Sequence, residues 1–151
     1  MDKKITVRKF LIATHGALAE GILSSLNIII GKIENVFLIQ AYLDENKSIE
    51  EELNVLIKDD QEEEWIIFTD LLGGSINNQV LRYTADRSAG SSGAKIHIVA
   101  GFSLPLLIEV LLSDPDGPAE EIIEDAVTKA REQMVYVNKL IALPTNQSKN
   151  D

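Results

Sequence analysis

Trp65-Ile66-Ile67-Phe68-Thr69-Asp70-Leu71-Leu72-Gly73-Gly74-Ser75 is the stretch from which the architecture of this chain can be read. It opens on an unbroken apolar run, too short for a helix of ordinary length and rich in β-branched and aromatic residues. Such a run suits a strand buried on both faces of a parallel sheet. The run stops at Asp70, passes through a Gly-Gly turn and reaches a serine where a new helix can start. Three further β-rich runs lie at residues 10–14, 36–41 and 95–101, beside this one at 65–70.

Between these runs the spacing is helical. Residues 17–30 place Leu18, Ile22, Leu26 and Ile29 or Ile30 on one face, and Gly31 follows as a C-terminal cap. Ser48-Ile49-Glu50-Glu51 reads as a capping box, with Leu53, Leu56 and Ile57 as the apolar stripe behind it. A third helix is expected from Ser75 through Val80 and Tyr83. A fourth is expected over residues 104–112, with Pro105 tolerated in its first turn. Asp114-Pro115-Asp116-Gly117 marks a turn. Pro118 then opens a last helix carrying Ile123, Ala126 or Val127, Ala130 and Met134 at core spacing. Strand alternating with helix predicts an α/β fold, an open parallel β-sheet with helices on both faces. Residues 88–93 read as a flexible loop and 144–151 as a polar tail, with no internal repeat and no second domain.

Composition narrows the function. The chain of 151 residues carries 14 Lys and Arg against 24 Asp and Glu, a formal charge of −10. That balance disfavours nucleic acid as a partner, because non-specific binding rests on basic residues neutralising phosphates. Binding to a membrane surface through basic patches is disfavoured on the same ground. There is no cysteine, which removes disulfides, thiolate chemistry and cysteine-ligated metals. Two histidines without cysteine also speak against a structural metal site, and no metal is expected. The N-terminal residues lack the apolar core of a secretion signal, and no apolar run approaches the ~20 residues of a spanning helix. The expectation is a soluble, cytoplasmic chain.

Ligands of open α/β sheets bind beyond the carboxyl ends of the strands. Two strands here end in residues with chemistry: the first in Thr14-His15-Gly16, the third in Asp70-Leu71-Leu72-Gly73-Gly74-Ser75. If the two strands are neighbours, His15 and Asp70 meet in one crevice, with the N-termini of two helices aimed at it. An imidazole is a competent nucleophile toward phosphorus near neutral pH. A carboxylate on its second nitrogen fixes the tautomer and stabilises positive charge during attack. Helix N-termini and the Ser75 hydroxyl can hold phosphoryl oxygens, and Gly73 and Gly74 allow close backbone approach. Phosphoryl transfer asks mainly for positioning and charge stabilisation, so no cofactor is called for. Each element alone is commonplace: strand-end histidines are often structural, and Gly-Gly-Ser without a following lysine is not a phosphate-binding P-loop. Residue patterns alone reach an α/β domain with an anion site.

Residues 10–16, with Ala19 and Glu20 after them, resemble the opening of IIA components of the mannose-family phosphotransferase systems. Residues 70–75, continued by Asn78, resemble that family's second motif, and residues 100–109 its third. The resemblance runs over about residues 8–140. It implies a domain at residues 1–143 that carries a phosphoryl group on His15, with Asp70 hydrogen-bonded to the imidazole and Ser75 beside the phosphate. Thr14, Gly16, Gly73 and Gly74 complete the implied phosphate site. The implied donor is the histidine-containing phosphocarrier protein HPr and the implied acceptor a IIB component, so any membrane link is indirect, through the sugar permease complex. The resemblance also implies a homodimer whose sheet is completed by an exchanged antiparallel C-terminal edge strand, for which residues 139–143 are the candidate. No fused IIB domain is expected. Two positions depart from the family pattern: Ile76 stands where proline is usual and Ser103 where asparagine is usual.

Three other readings compete. An aspartyl-phosphate receiver would use Asp70 as acceptor, but the first strand lacks the acidic pair that holds Mg²⁺. A Ser75-His15-Asp70 hydrolase lacks the Gly-x-Ser-x-Gly elbow. A non-catalytic regulatory dimer of the same fold is compatible with the pattern, although an intact His15 and Asp70 favour transfer. His97 and Trp65 are expected to pack, and Glu62-Glu63-Glu64 is expected to be a solvated turn between helix and strand.

Overall fold

The computed structural model describes residues 6–44, 46–58, 62–88 and 95–141. In chain order its elements are β1 (Val7–His15), α1 (Leu18–Ile30), β2 (Val36–Ala41), α2 (Ile49–Leu56), β3 (Glu63–Thr69), α3 (Ser75–Ser88), β4 (Lys95–Ala100), α4 (Leu104–Leu111) and α5 (Ala119–Arg131). The four strands form one sheet in the order β2-β1-β3-β4, and every neighbouring pair is parallel. This is the open α/β sheet the apolar runs demand.

Side chains alternate across a strand, so each strand feeds two cores. Phe10, Ile12, Ile66, Phe68 and Val99 pack against Leu26 of α1, Leu107 and Val110 of α4 and Ala126 of α5. Leu11, Ala13, Ile39, Trp65 and Ile67 pack on the opposite face against Leu53 of α2 and Ile76 and Val80 of α3. Trp65, Phe68, Leu11 and Ile66 are fully buried, which is why these strands read as continuous apolar runs. Ser48 caps α2 as the box predicts, its side chain accepting a hydrogen bond from Glu51 N at 3.1 Å. Gly31 caps α1 at φ 84°.

Several expectations require correction. Glu63 and Glu64 do not form a solvated turn. Both lie in β3, where Glu63 pairs with Lys9 and accepts from the Trp65 indole, and Glu64 pairs with Arg8 and His97. The charges are tolerated there because each has a partner. Of the stripe expected on α1, Leu26 is buried and Ile22 and Ile30 pack on the core, but Leu18 is exposed and Ala19 takes the inward position instead. Pro118 stands before α5 as its N-cap, one residue outside the helix. Met134 lies past the end of α5 and is 85% exposed, because the chain turns away from the core after Arg131. Residues 137–141 are helical and exposed, not extended, with Lys139 N and Leu140 N both donating to Tyr136 O. Its backbone groups are thus satisfied locally. Ala142, Leu143 and the tail at 144–151 lie outside the described residues, as does the loop at 89–93.

Candidate functional site

β1 and β3 are adjacent, with Ala13 paired to Thr69, so their carboxyl ends deliver His15 and Asp70 side by side. The Asp70 carboxylate receives two hydrogen bonds from one residue: Asp70 Oδ2 accepts from the His15 backbone N–H at 2.8 Å and lies 2.9 Å from His15 Nδ1. An ionised carboxylate can only accept, so Nδ1 carries the ring proton and Nε2 keeps its lone pair. The His15 side chain is 40% exposed while that of Asp70 is 10% exposed. Nε2 therefore belongs to a ring open to solvent, and the carboxylate bound to Nδ1 sits beneath it. Burial pushes the Asp70 carboxyl up, but the backbone N–H, the ring hydrogen bond and the charge of His15 more than offset it, so its pKa lies below the ordinary carboxylate value. Asp70 Oδ1 is buried with no hydrogen-bond partner, so the side-chain hydrogen bonding of this carboxylate falls on Oδ2.

The loop after β3 is shaped by its glycines. Gly73 adopts φ 76°, a left-handed conformation that side chains resist. A Cβ placed on Gly74 would stand 3.2 Å from Leu71 Cβ, 3.3 Å from Leu71 O and 3.8 Å from His15 Cε1. The loop is pinned on both sides of Ser75: Asn78 Nδ2 donates to Gly73 O at 3.2 Å, and buried Asn77 accepts from Thr69 Oγ1 at 2.9 Å. Ser75, the first residue of α3, is exposed, and its hydroxyl lies 2.7 Å from the Tyr42 hydroxyl. The Tyr42 ring in turn sits 5.5 Å from that of His15, tilted by 37°.

His15, Asp70, Gly73, Gly74 and Ser75 are thus brought together. Thr14 and Gly16 serve the site differently from the sequence expectation. Thr14 is fully buried, and its hydroxyl accepts from Ala19 N at 3.0 Å, fixing the start of α1. Gly16, at φ 58°, donates its N–H to Ala41 O at 2.9 Å. The Glu20 N–H is also engaged, by Gln40 Oε1 at 2.9 Å. The N-terminal turn of α1 is therefore tied to the ends of β1 and β2. Sequence reasoning missed Tyr42 altogether; the only local signal was an aromatic residue directly after a strand.

Both departures from the family pattern find a role. Ser103 caps α4, accepting from Leu106 N at 3.3 Å, which an asparagine would also do. Ile76 is fully buried in the core beneath α3. Apolar side chains crowd the loops around His15: Leu18, Tyr42, Leu43, Leu71 and Leu72 are all exposed, Leu72 by 83%. A cavity of about 640 Å³, lined by Arg8, Phe10, Lys32 and Leu111 among others, opens near the start of β1, at the opposite end of that strand from His15. Among the described residues no helix is long and apolar enough to cross a membrane.

Comparison with known proteins agrees with this geometry. The family model EIIA-man, described as PTS system fructose IIA component, matches residues 9–133. The PTS system mannose-specific EIIAB component of Escherichia coli K12 is 31% identical over 125 residues, covering 81% of this chain but only 37% of that relative's length. A proposed phosphoenolpyruvate-dependent sugar phosphotransferase system permease from Klebsiella pneumoniae superposes with a TM-score of 0.80 at 29% identity, covering 93% of this chain and 98% of that one. Phosphotransferase system component EIIA from Streptococcus agalactiae superposes at 0.72 with 29% identity, covering 87% and 98%.

Proposed function

This chain belongs to the EIIA-man family of phosphotransferase-system IIA components, and from that premise we propose that it relays a phosphoryl group on His15 Nε2. The observation that carries the reading is the double hydrogen bond from His15 to Asp70 Oδ2, which favours the tautomer with its proton on Nδ1 and the lone pair on Nε2. In the forward step the Nε2 lone pair attacks phosphorus on the donor's phosphohistidine. The new N–P bond forms as the old one breaks, and the electron pair returns to the donor nitrogen. Asp70 stabilises the positive charge that develops on the ring, and the Ser75 hydroxyl and the Gly73 N–H receive the phosphoryl oxygens, the Gly74 N–H being held by Leu71 O at 3.2 Å. In the second step a nucleophile of the acceptor takes the group and Nε2 recovers its pair.

The donor is the phosphocarrier protein HPr and the acceptor a IIB component of a sugar transporter. Exposed leucines beside an exposed nucleophile suit transient docking of protein partners, which need apolar contact at the centre of a small interface. The protein acts in the cytoplasm and as a homodimer, with the exposed apolar residues from Met134 to Ile141 as the surface a second copy covers.

The test is labelling from phosphoenolpyruvate in the presence of enzyme I and HPr. Wild type should acquire acid-labile, alkali-stable label, and His15→Ala should acquire none while keeping its circular dichroism and Tm. A strand-end side chain that is 40% exposed contributes little to the core. Label retained by His15→Ala would refute the assignment.

A further inference from the structure

Tyr42 is the first residue after β2, and it is held in a left-handed conformation, φ 69°. Among the described residues only Asn35 shares that feature without being glycine, and asparagine accepts it readily. A bulky aromatic residue does not, so this turn is imposed by its surroundings. Strict alternation along β2 would place residue 42 with Leu38 and Gln40, on the α1 side of the sheet. The turn instead sends the ring across the end of β1, the strand between β2 and β3. There it makes two contacts, its face tilted toward the His15 ring at 5.5 Å and its hydroxyl 2.7 Å from Ser75 Oγ. Tyr42 is 61% exposed, so burial of the side chain does not explain why the strained backbone is kept.

Building on the phosphoryl-carrier reading above, we propose that Tyr42 is a positioning residue for transfer, acting through Ser75. A phenol donating to Ser75 Oγ leaves the serine's own hydrogen as the only one that hydroxyl can give. That hydrogen then points to phosphoryl oxygens arriving at His15. A relay of two hydroxyls polarises in one direction, each bond strengthening the next. The same ring limits the rotation of the His15 imidazole on the side opposite Asp70.

The experiment measures the kinetics of phosphoryl transfer from phospho-HPr to wild type, Tyr42→Phe, Ser75→Ala and the double variant. Tyr42→Phe keeps the ring and removes only the hydroxyl. Its kcat should fall about three- to tenfold, the scale of one neutral hydrogen bond, with KM and Tm unchanged. The double variant should transfer no more slowly than Ser75→Ala, because the phenol has nothing left to act through. Equal kcat for Tyr42→Phe and wild type would overturn the inference, and so would fully multiplicative losses in the double variant. A rise in KM alone would overturn it in favour of partner docking. Absence of label on folded wild type is a different result, refuting the carrier reading itself.

Discussion

At the residue scale the site is a set of constraints placed on one imidazole. Asp70 fixes its tautomer from below, Gly74 sets how near the loop after β3 comes, and Tyr42 bounds it from the β2 side. Asp70→Asn preserves an acceptor but removes the charge. Transfer should slow by about 10- to 100-fold, the rate equivalent of a charge-assisted hydrogen bond worth about 1.5–3 kcal/mol. Stopped-flow transfer from phospho-HPr measures this, and a wild-type rate would contradict the orienting role. Because the folded pKa of Asp70 lies below its unfolded value of about 3.9, its contribution to stability is complete above about pH 4 and is lost as pH falls through the folded value. Asp70→Asn should therefore flatten the acid limb of the stability curve, with little change in slope near neutrality. Chemical denaturation at pH 3 and pH 7 checks it. His15 and Asp70 were legible in the sequence because strand ends in α/β sheets are where chemistry sits. Tyr42 was not, because its role depends on a φ of 69° and on which strand lies next to β2, neither of which a side-chain pattern encodes.

At the element scale, the same strands that carry the site at one end are locked by charge nearer the other. Arg8 of β1 pairs with Glu64 of β3 at 2.9 Å and donates to Asp114 O and Gly117 O of the turn before α5. Glu64 also meets His97 of β4 at 3.2 Å. One guanidinium therefore joins two strands and a turn, and its side chain is only 7% exposed. Arg8→Met should cost about 3 kcal/mol by leaving Glu64 buried without its main partner, lowering Tm by roughly 10 °C. Calorimetry would decide; an unchanged Tm would mean that the network is decorative. The loop between β3 and α3 makes a second case. Gly74→Ala forces the Leu71 carbonyl to move by a few tenths of an ångström, so it should slow transfer while Tm changes little. Strand interiors were legible as apolar runs, but the starts of β1 and β3 were not. Arg8, Glu63 and Glu64 look like surface charge until their partners, more than fifty residues away, are known.

For the whole molecule, two cores on opposite faces of one sheet hold the strands so that His15 and Asp70 meet at their carboxyl ends. The sequence carried this architecture because alternation of strand and helix leaves few other arrangements. What it carried poorly was the C-terminal segment, read as a strand and found helical over residues 137–141. Val137, Leu140 and Ile141 are 53–63% exposed in the single chain. Sedimentation at micromolar concentration should show a dimer, and Leu140→Glu with Ile141→Glu should shift it to monomer; a monomeric wild type would refute that assembly. The central claim, that Asp70 reserves Nε2 for phosphorus, is tested most directly by long-range ¹H–¹⁵N NMR of the phosphorylated protein, which distinguishes the two ring nitrogens of His15. A phosphoryl group on Nε2 with Nδ1 still protonated is the expected result. Phosphorylation at Nδ1, or label on Asp70 in place of the ring, would contradict it.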